Sequence, residues 1–250
     1  METTNKKTIG EYVADDFRTA AVFSKYGIDF CCKGQRTIAE ACEKKQISSK
    51  VLEDEITTVM QSTSDGGIDF KSWPLDLLID YIEKTHHRYV EEKSSVLFMF
   101  LDKLCKVHGG RHPELFQINK LFVEGAGELA KHMKKEELIL FPFIKKMLNA
   151  QKTNQEITVP HFGTVDNPIA MMQDEHTIEG ERFAKIAELT NNYVPPADAC
   201  ETYRVTFAML KEFEADLHKH IHLENNILFP GAKVLEKQFT VLDKLTNSLL

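Results

Sequence analysis

A chain of 250 residues, 42% hydrophobic and 28% charged, has enough apolar material for a globular core. Its net charge of −7 excludes a broad nucleic-acid footprint, and its longest apolar run, Val96 to Leu101, is far too short to span a bilayer. Five cysteines and no cationic-then-apolar leader pattern predict a cytoplasmic protein whose cysteines matter as thiols, not as a disulfide framework. Residues 1–62 read as a small helical N-terminal domain. In it Thr8-x-x-Glu11 and Thr37-x-x-Glu40 fit capping boxes, and Asp29-Phe30-Cys31-Cys32 lies between them. Residues 63–73, polar and Gly-containing, read as a linker.

From Pro74 to residue 250 the pattern becomes long helices, sparse in Gly and Pro. The first is expected to stop at Gly109-Gly110. The second runs from near Pro113 to about Asn149. Asn167-Pro168 is expected to cap and start the third, which ends near Asn192, and Pro195-Pro196 to open the fourth, which continues toward Phe229-Pro230. Pro142 and Pro230 are expected to kink or end their helices. A last amphipathic segment, from Lys233 to about Leu249, reads as a separate helix packed outside. The predicted fold is all-α, an antiparallel four-helix bundle.

Two segments repeat: His132-x-x-x-Glu136 followed by Phe141-Pro142, and His220-x-x-x-Glu224 followed by Phe229-Pro230. At a spacing of four, His and Glu rise from one helical face. His87 precedes His132 by 45 residues and His176 precedes His220 by 44. In an antiparallel hairpin, residues equidistant from the turn share a height. The first midpoint falls at about residue 110, inside Gly109-Gly110, and the second near residue 199, just after Pro195-Pro196. Each arm is then some 22 residues, or roughly 33 Å of helix. The two hairpins thus bring six ligands to one level. Four imidazoles and two carboxylates suit two borderline cations with bridging glutamates: iron first, manganese or zinc behind it.

Other residues compete for these roles. His86 is a rival to His87, about 100° away on the helix. His218 and His222 should point away from the His220 face. His108 and His112 bracket the first turn, and His161 should be exposed. Glu128 and Glu175 are candidates to orient imidazoles or relay protons, with a surface charge as the plainer role. Phe141 and Phe229 read as core residues, and Cys42, Cys105 and Cys200 as packing residues.

With the sextet and the Cys-Cys segment together, the chain resembles the iron–sulfur cluster repair di-iron proteins, known as repair of iron centres. The C-terminal part alone is similar to hemerythrin-like domains. Asp29-Phe30-Cys31-Cys32, His132-Met-Lys-Lys-Glu136, His220-Ile-His-Leu-Glu224-Asn, Val107-His108-Gly109 and the segment from Pro195 to Cys200 carry the resemblance. It implies metal ligation by His87, His132, Glu136, His176, His220 and Glu224, and it selects His87 over His86. The implied cofactor is two non-haem irons with an oxo or hydroxo bridge. The implied role is repair of iron–sulfur clusters under nitrosative and oxidative stress, by iron delivery to iron–sulfur client proteins. Nitric oxide reduction, or binding of nitric oxide or oxygen, stands as the alternative, and a homodimer is common in that family. Cys31 and Cys32 would accept or hand on iron if the small domain docks at the site. Lys33 departs from the family's Cys-Cys-Gly-Gly, and a cation there would favour thiolate.

Overall fold

The computed structural model describes residues 7–62 and 68–246, so part of the expected linker, residues 63–67, lies outside the described residues, as do 247–250. Four short helices come first: α1 (Ile9–Asp15), α2 (Thr19–Lys25), α3 (Ile38–Lys45) and α4 (Ser49–Gln61). Both capping boxes form. The hydroxyls of Thr8 and Thr37 accept from the backbone N–H groups of Glu11 and Glu40, whose carboxylates accept in return from the cap N–H groups. This satisfies donors that a helix start leaves free.

Then come four long rods. The first joins α5 (Leu75–Tyr81) to α6 (Arg88–His108) through a π-turn at Ile82–His87. The second joins α7 (Glu114–Lys135) to α8 (Phe141–Thr153) through a π-turn at Glu136–Leu140. The third is α9 (Asp166–Leu189). The fourth joins α10 (Glu201–Leu223) to α11 (Phe229–Thr246) through a π-turn at Glu224–Leu228. Helix α6 packs on α7, α7 on α9, α9 on α10 and α10 back on α6, which closes a four-membered bundle. No strand forms among the described residues, and none of their helices is long and apolar enough to cross a membrane.

Several expected helix ends move. Pro142 and Pro230 neither end nor break their rods, and the segment from Lys233 continues the fourth rod. In both places a π-turn precedes the Phe-Pro pair. Its wider ring relieves the clash of the proline with the preceding turn, where no N–H is needed from it. Helix α9 starts at Asp166 with no side-chain cap, so Asn167 caps nothing. Helix α10 starts at Glu201 after a turn in which the Ala199 N–H donates to the Pro196 carbonyl, five residues beyond the expected opening.

Two apolar clusters fill the interior. One combines bundle residues such as Leu97, Phe122, Phe183 and Phe213 with Ile9, Phe23, Ile38 and Leu52 of the N-terminal helices. The other gathers Ile79, Phe141, Ile144, Ile169 and Phe229. Buried charged groups lie between them.

Candidate metal centre

His87, His132, Glu136, His176, His220 and Glu224 come together in the bundle interior, all buried. His87, Glu136, His220 and Glu224 form one quartet, and His132, Glu136, His176 and Glu224 a second. Within each, the possible ligand atoms lie within 4.8 Å of one another. Both glutamates belong to both quartets, and each divides its oxygens between them. Glu136 turns Oε1 to His132 Nε2 and Oε2 to His87 Nε2, each at 3.4 Å. Glu224 turns Oε1 to His220 Nε2 at 3.0 Å and Oε2 to His176 Nε2 at 3.1 Å. Donor atoms about 2.1 Å from one ion and about 90–110° apart stand roughly 3.0–3.4 Å from each other, so these spacings are compatible with cation binding in each quartet.

The π-turns and the Phe-Pro pairs shape this site. Phe141 stacks on the His87 imidazole, with centroids 5.9 Å apart and planes 19° apart, and Phe229 stacks on His176 at 6.0 Å and 5°. The phenylalanines are core residues that also position the cluster's imidazoles, since each wedges the lone histidine of a hairpin from the side of the His/Glu rod.

Hydrogen bonds at the far ring nitrogens set the tautomers. His87 Nδ1 meets Glu137 Oε1 at 2.9 Å, His132 Nδ1 meets Glu175 Oε2 at 2.7 Å, and His176 Nδ1 meets Asn225 Oδ1 at 3.0 Å. Each partner is an acceptor, so each Nδ1 carries the proton and each Nε2 presents a lone pair to the centre. His132 Nε2 and His176 Nε2 stand 3.0 Å apart, near enough to share a proton or to face one cation. Both oxygens of the fully buried Glu136, Glu224 Oε2 and His87 Nε2 have no hydrogen-bond partner. Such an arrangement is strongly unfavourable unless cations occupy it. The residues therefore fit a pair of metal ions.

Electrostatics point the same way. Burial would raise the Glu224 carboxyl, yet His220 and His176 outweigh it and hold the carboxyl well below its ordinary range. Burial and the neighbouring Glu224 raise Glu136, but His132 and His87 bring it lower on balance. Burial would lower His132, and the two cluster glutamates with Glu175 push it up to about 9 instead. The centre is an anionic nest that attracts positive charge, whether protons or metal.

None of the remaining candidates joins a quartet. His86 Nδ1 meets Asp216 Oδ1 at 2.9 Å, and its ring stacks parallel on His220 at 5.7 Å. His218 and His222 point away and receive aromatic rings from the connections between the N-terminal helices, Phe30 at 6.1 Å from His218 and Phe17 at 5.8 Å from His222. Burial lowers His222 to about 3, so it packs as a neutral ring. Glu175 orients an imidazole and also pairs with Lys135. Glu128 is exposed and pairs with Lys131 at 2.9 Å, which is the surface role and not an imidazole-orienting one. His161 is exposed as expected.

Sequence reasoning missed Glu137 and Asn225, although each directly follows a cluster glutamate in the repeat. That shared position was the available signal. Replacing Glu175 with alanine should lower metal affinity by about 10- to 100-fold, and Glu175→Gln, which still accepts from Nδ1, by less. Chelator competition measures both.

The Cys-Cys loop docks here. Asp29 Oδ1 accepts from the backbone N–H groups of Cys31 and Cys32 at 3.1 and 2.9 Å, and the two sulfurs are 3.7 Å apart. The Cys32 thiol donates to the His176 carbonyl at 3.4 Å, while Asn225 Nδ2 donates to the Cys31 carbonyl at 3.3 Å. One amide side chain thereby holds both the loop and the His176 ring. The hydrogen bond with Cys32, together with burial and Asp29, pushes the Cys31 thiol well up. Lys33 is exposed, so the thiolate expected from it at Cys31 is overridden by these contacts. A cleft of about 260 Å³, lined by Leu129, Ile178, Glu175 and Glu179, reaches His132 and His176 from outside.

Fold and cluster define a helical bundle of the hemerythrin type. Residues 78–232 match the family described as the hemerythrin HHE cation binding domain, and residues 5–60 match ScdA_N, described as a domain of unknown function (DUF542). The chain is 34% identical over 226 residues to the iron-sulfur cluster repair protein ScdA of Staphylococcus haemolyticus, covering 90% of this chain and 97% of that one. It is 34% identical over 224 residues to iron-sulfur cluster repair proteins YtfE of Escherichia coli O17:K52:H18 and Shigella boydii serotype 4, covering 90% of this chain and 95% of each. The chain belongs to this two-part family of hemerythrin-like iron-sulfur cluster repair proteins.

Proposed function

We propose that this protein repairs damaged iron–sulfur clusters with iron held as a di-iron pair by His87, His220, His132 and His176, with Glu136 and Glu224 as bridges. The observation that carries the reading is the pair of quartets sharing both glutamates. An oxo or hydroxo group completes the bridge between the irons. A site of imidazole and carboxylate holds iron less tightly than a thiolate cage, which suits a donor. Asp29, Cys31 and Cys32 form a third cluster with metal-ligand spacing beside His176, and they serve as the receiving station through which iron passes toward a client iron–sulfur protein. Incubating the iron-loaded protein with an oxidant-inactivated iron–sulfur hydratase should restore its activity, with loss of iron from the donor. Unrestored activity while the irons stay in place would overturn the proposal.

The cleft to His132 and His176 favours a second reading, in which nitric oxide or oxygen enters and reacts at the pair. Nitrous oxide in the headspace above reduced protein given nitric oxide supports reductase chemistry, and none above background rules it out.

A further inference from the structure

At the turn end of the bundle, roughly 30 Å of helix away from the quartets, stands a second constellation that metal binding leaves unused. Cys200, read from sequence as a packing residue, is exposed, whereas Cys31, Cys42 and Cys105 are buried and Cys32 is half-buried. Its sulfur lies 3.2 Å from Nε2 of His108, which closes α6 and is 5% exposed. The imidazole is held by the edge-to-face ring of the buried Tyr203, 5.4 Å away, and its Nδ1 has no hydrogen-bond partner. The only bond this buried ring makes among the described residues is thus directed at an exposed thiol.

Cys200 also occupies the N-cap of α10, a helix of 23 residues, and its side chain caps no backbone N–H. The sulfur thus stands at the start of a long helix with an imidazole nitrogen within hydrogen-bond reach. Arg111 pairs with Asp198 at 3.3 Å, and His112 lies between Asp198 at 3.0 Å and Glu114 at 3.2 Å. These neighbouring groups are engaged with one another, and Glu201 follows at the helix start.

We propose that Cys200 and His108 form a thiol–imidazole pair that undergoes thiol–disulfide exchange with low-molecular-weight disulfides, a modification site remote from the metal centre. The thiol proton passes to His108 Nε2 as Cys200 Sγ attacks one sulfur of the disulfide. The reagent's S–S bond breaks as the new S–S bond forms, and the departing thiolate takes the proton from the imidazolium. One disulfide and one thiol become one mixed disulfide and one thiol, with no net oxidation.

Full-length protein incubated with oxidised glutathione, followed by intact-mass spectrometry and peptide mapping, tests this. The label should appear first on the Cys200 peptide, and be absent there in Cys200→Ser. At pH 7, His108→Asn should slow labelling by about tenfold, the effect of losing a positioned base. At about pH 10, where a thiol ionises unaided, variant and wild type should react alike. Equal rates at pH 7, or a gap that persists at high pH, would overturn the pair. Should His108→Asn lose its helical circular dichroism, the wild-type pH profile decides: a rate that rises only with ordinary thiol ionisation, at about pH 8.5, overturns it.

Discussion

Glu224→Ala should strip the centre of both metals, whereas His220→Ala should weaken chiefly one. Glu224 places one oxygen against each quartet, 3.0 Å from His220 Nε2 and 3.1 Å from His176 Nε2. Removing it deletes a ligand from two ions at once. It also removes the carboxylate that offsets positive charge in a fully buried pocket, which leaves the remaining cations poorly compensated. His220 serves the His87 quartet alone. Elemental analysis of freshly purified protein should give two irons per chain in the wild type, near zero in Glu224→Ala, and an intermediate value in His220→Ala. If Glu224→Ala retains one tightly held ion, the bridging assignment is wrong even though the site binds metal.

The second large effect concerns docking of the thiol loop. Gly34→Ala would put a Cβ 2.5 Å from the Phe30 carbonyl, 3.0 Å from Asn226 Oδ1 and 3.1 Å from Gly10 Cα. Two of these three obstacles are backbone and cannot rotate away. The Gly10 N–H donates to the Gly34 carbonyl at 2.7 Å, so both glycines sit where the N-terminal segment meets the π-turn of the fourth rod. Overpacking of this kind costs about 1–3 kcal/mol, and local opening should rise by roughly ten- to a hundredfold. The measurement is alkylation of Cys31, which is 3% exposed in the docked state, with helical circular dichroism as the control. Unchanged alkylation would show that the loop reaches the site by contacts other than this glycine crossing.

The sextet was legible because its signal is redundant. Two His-x-x-x-Glu copies, two partner histidines at matching separations and two turns at the right midpoints all agree, and helical rise converts that agreement into a common height. The choice between His86 and His87 was not legible from spacing, because both lie in a π-turn, where the 3.6-residue phase that separates faces no longer holds. The same turns hid the continuity of the rods. Proline normally ends a helix interior, and nothing in Phe141-Pro142 or Phe229-Pro230 alone announces a wide turn. The spacing from glutamate to phenylalanine does announce it in retrospect. Five residues on an ordinary helix turn the side chain by roughly 140°, whereas five residues complete one π-turn hydrogen bond and return Phe141 and Phe229 toward the ligand face. The exposure of Cys200 was invisible for a simpler reason. A cysteine at a helix start can face either the core or water, and only the placement of His108 and Tyr203 decides between them.

The double use of Asn225 carries a thermodynamic obligation. Its oxygen holds the His176 ring and its amide nitrogen holds the Cys31 carbonyl. Under the proposed metal assignment, ion occupancy and loop docking become linked equilibria, and linkage is reciprocal. Whatever factor iron adds to the docking constant, docking must return to the iron affinity. A client that pulls the thiol loop away therefore loosens the iron by that same factor, so the hand that opens the door also loosens the cargo.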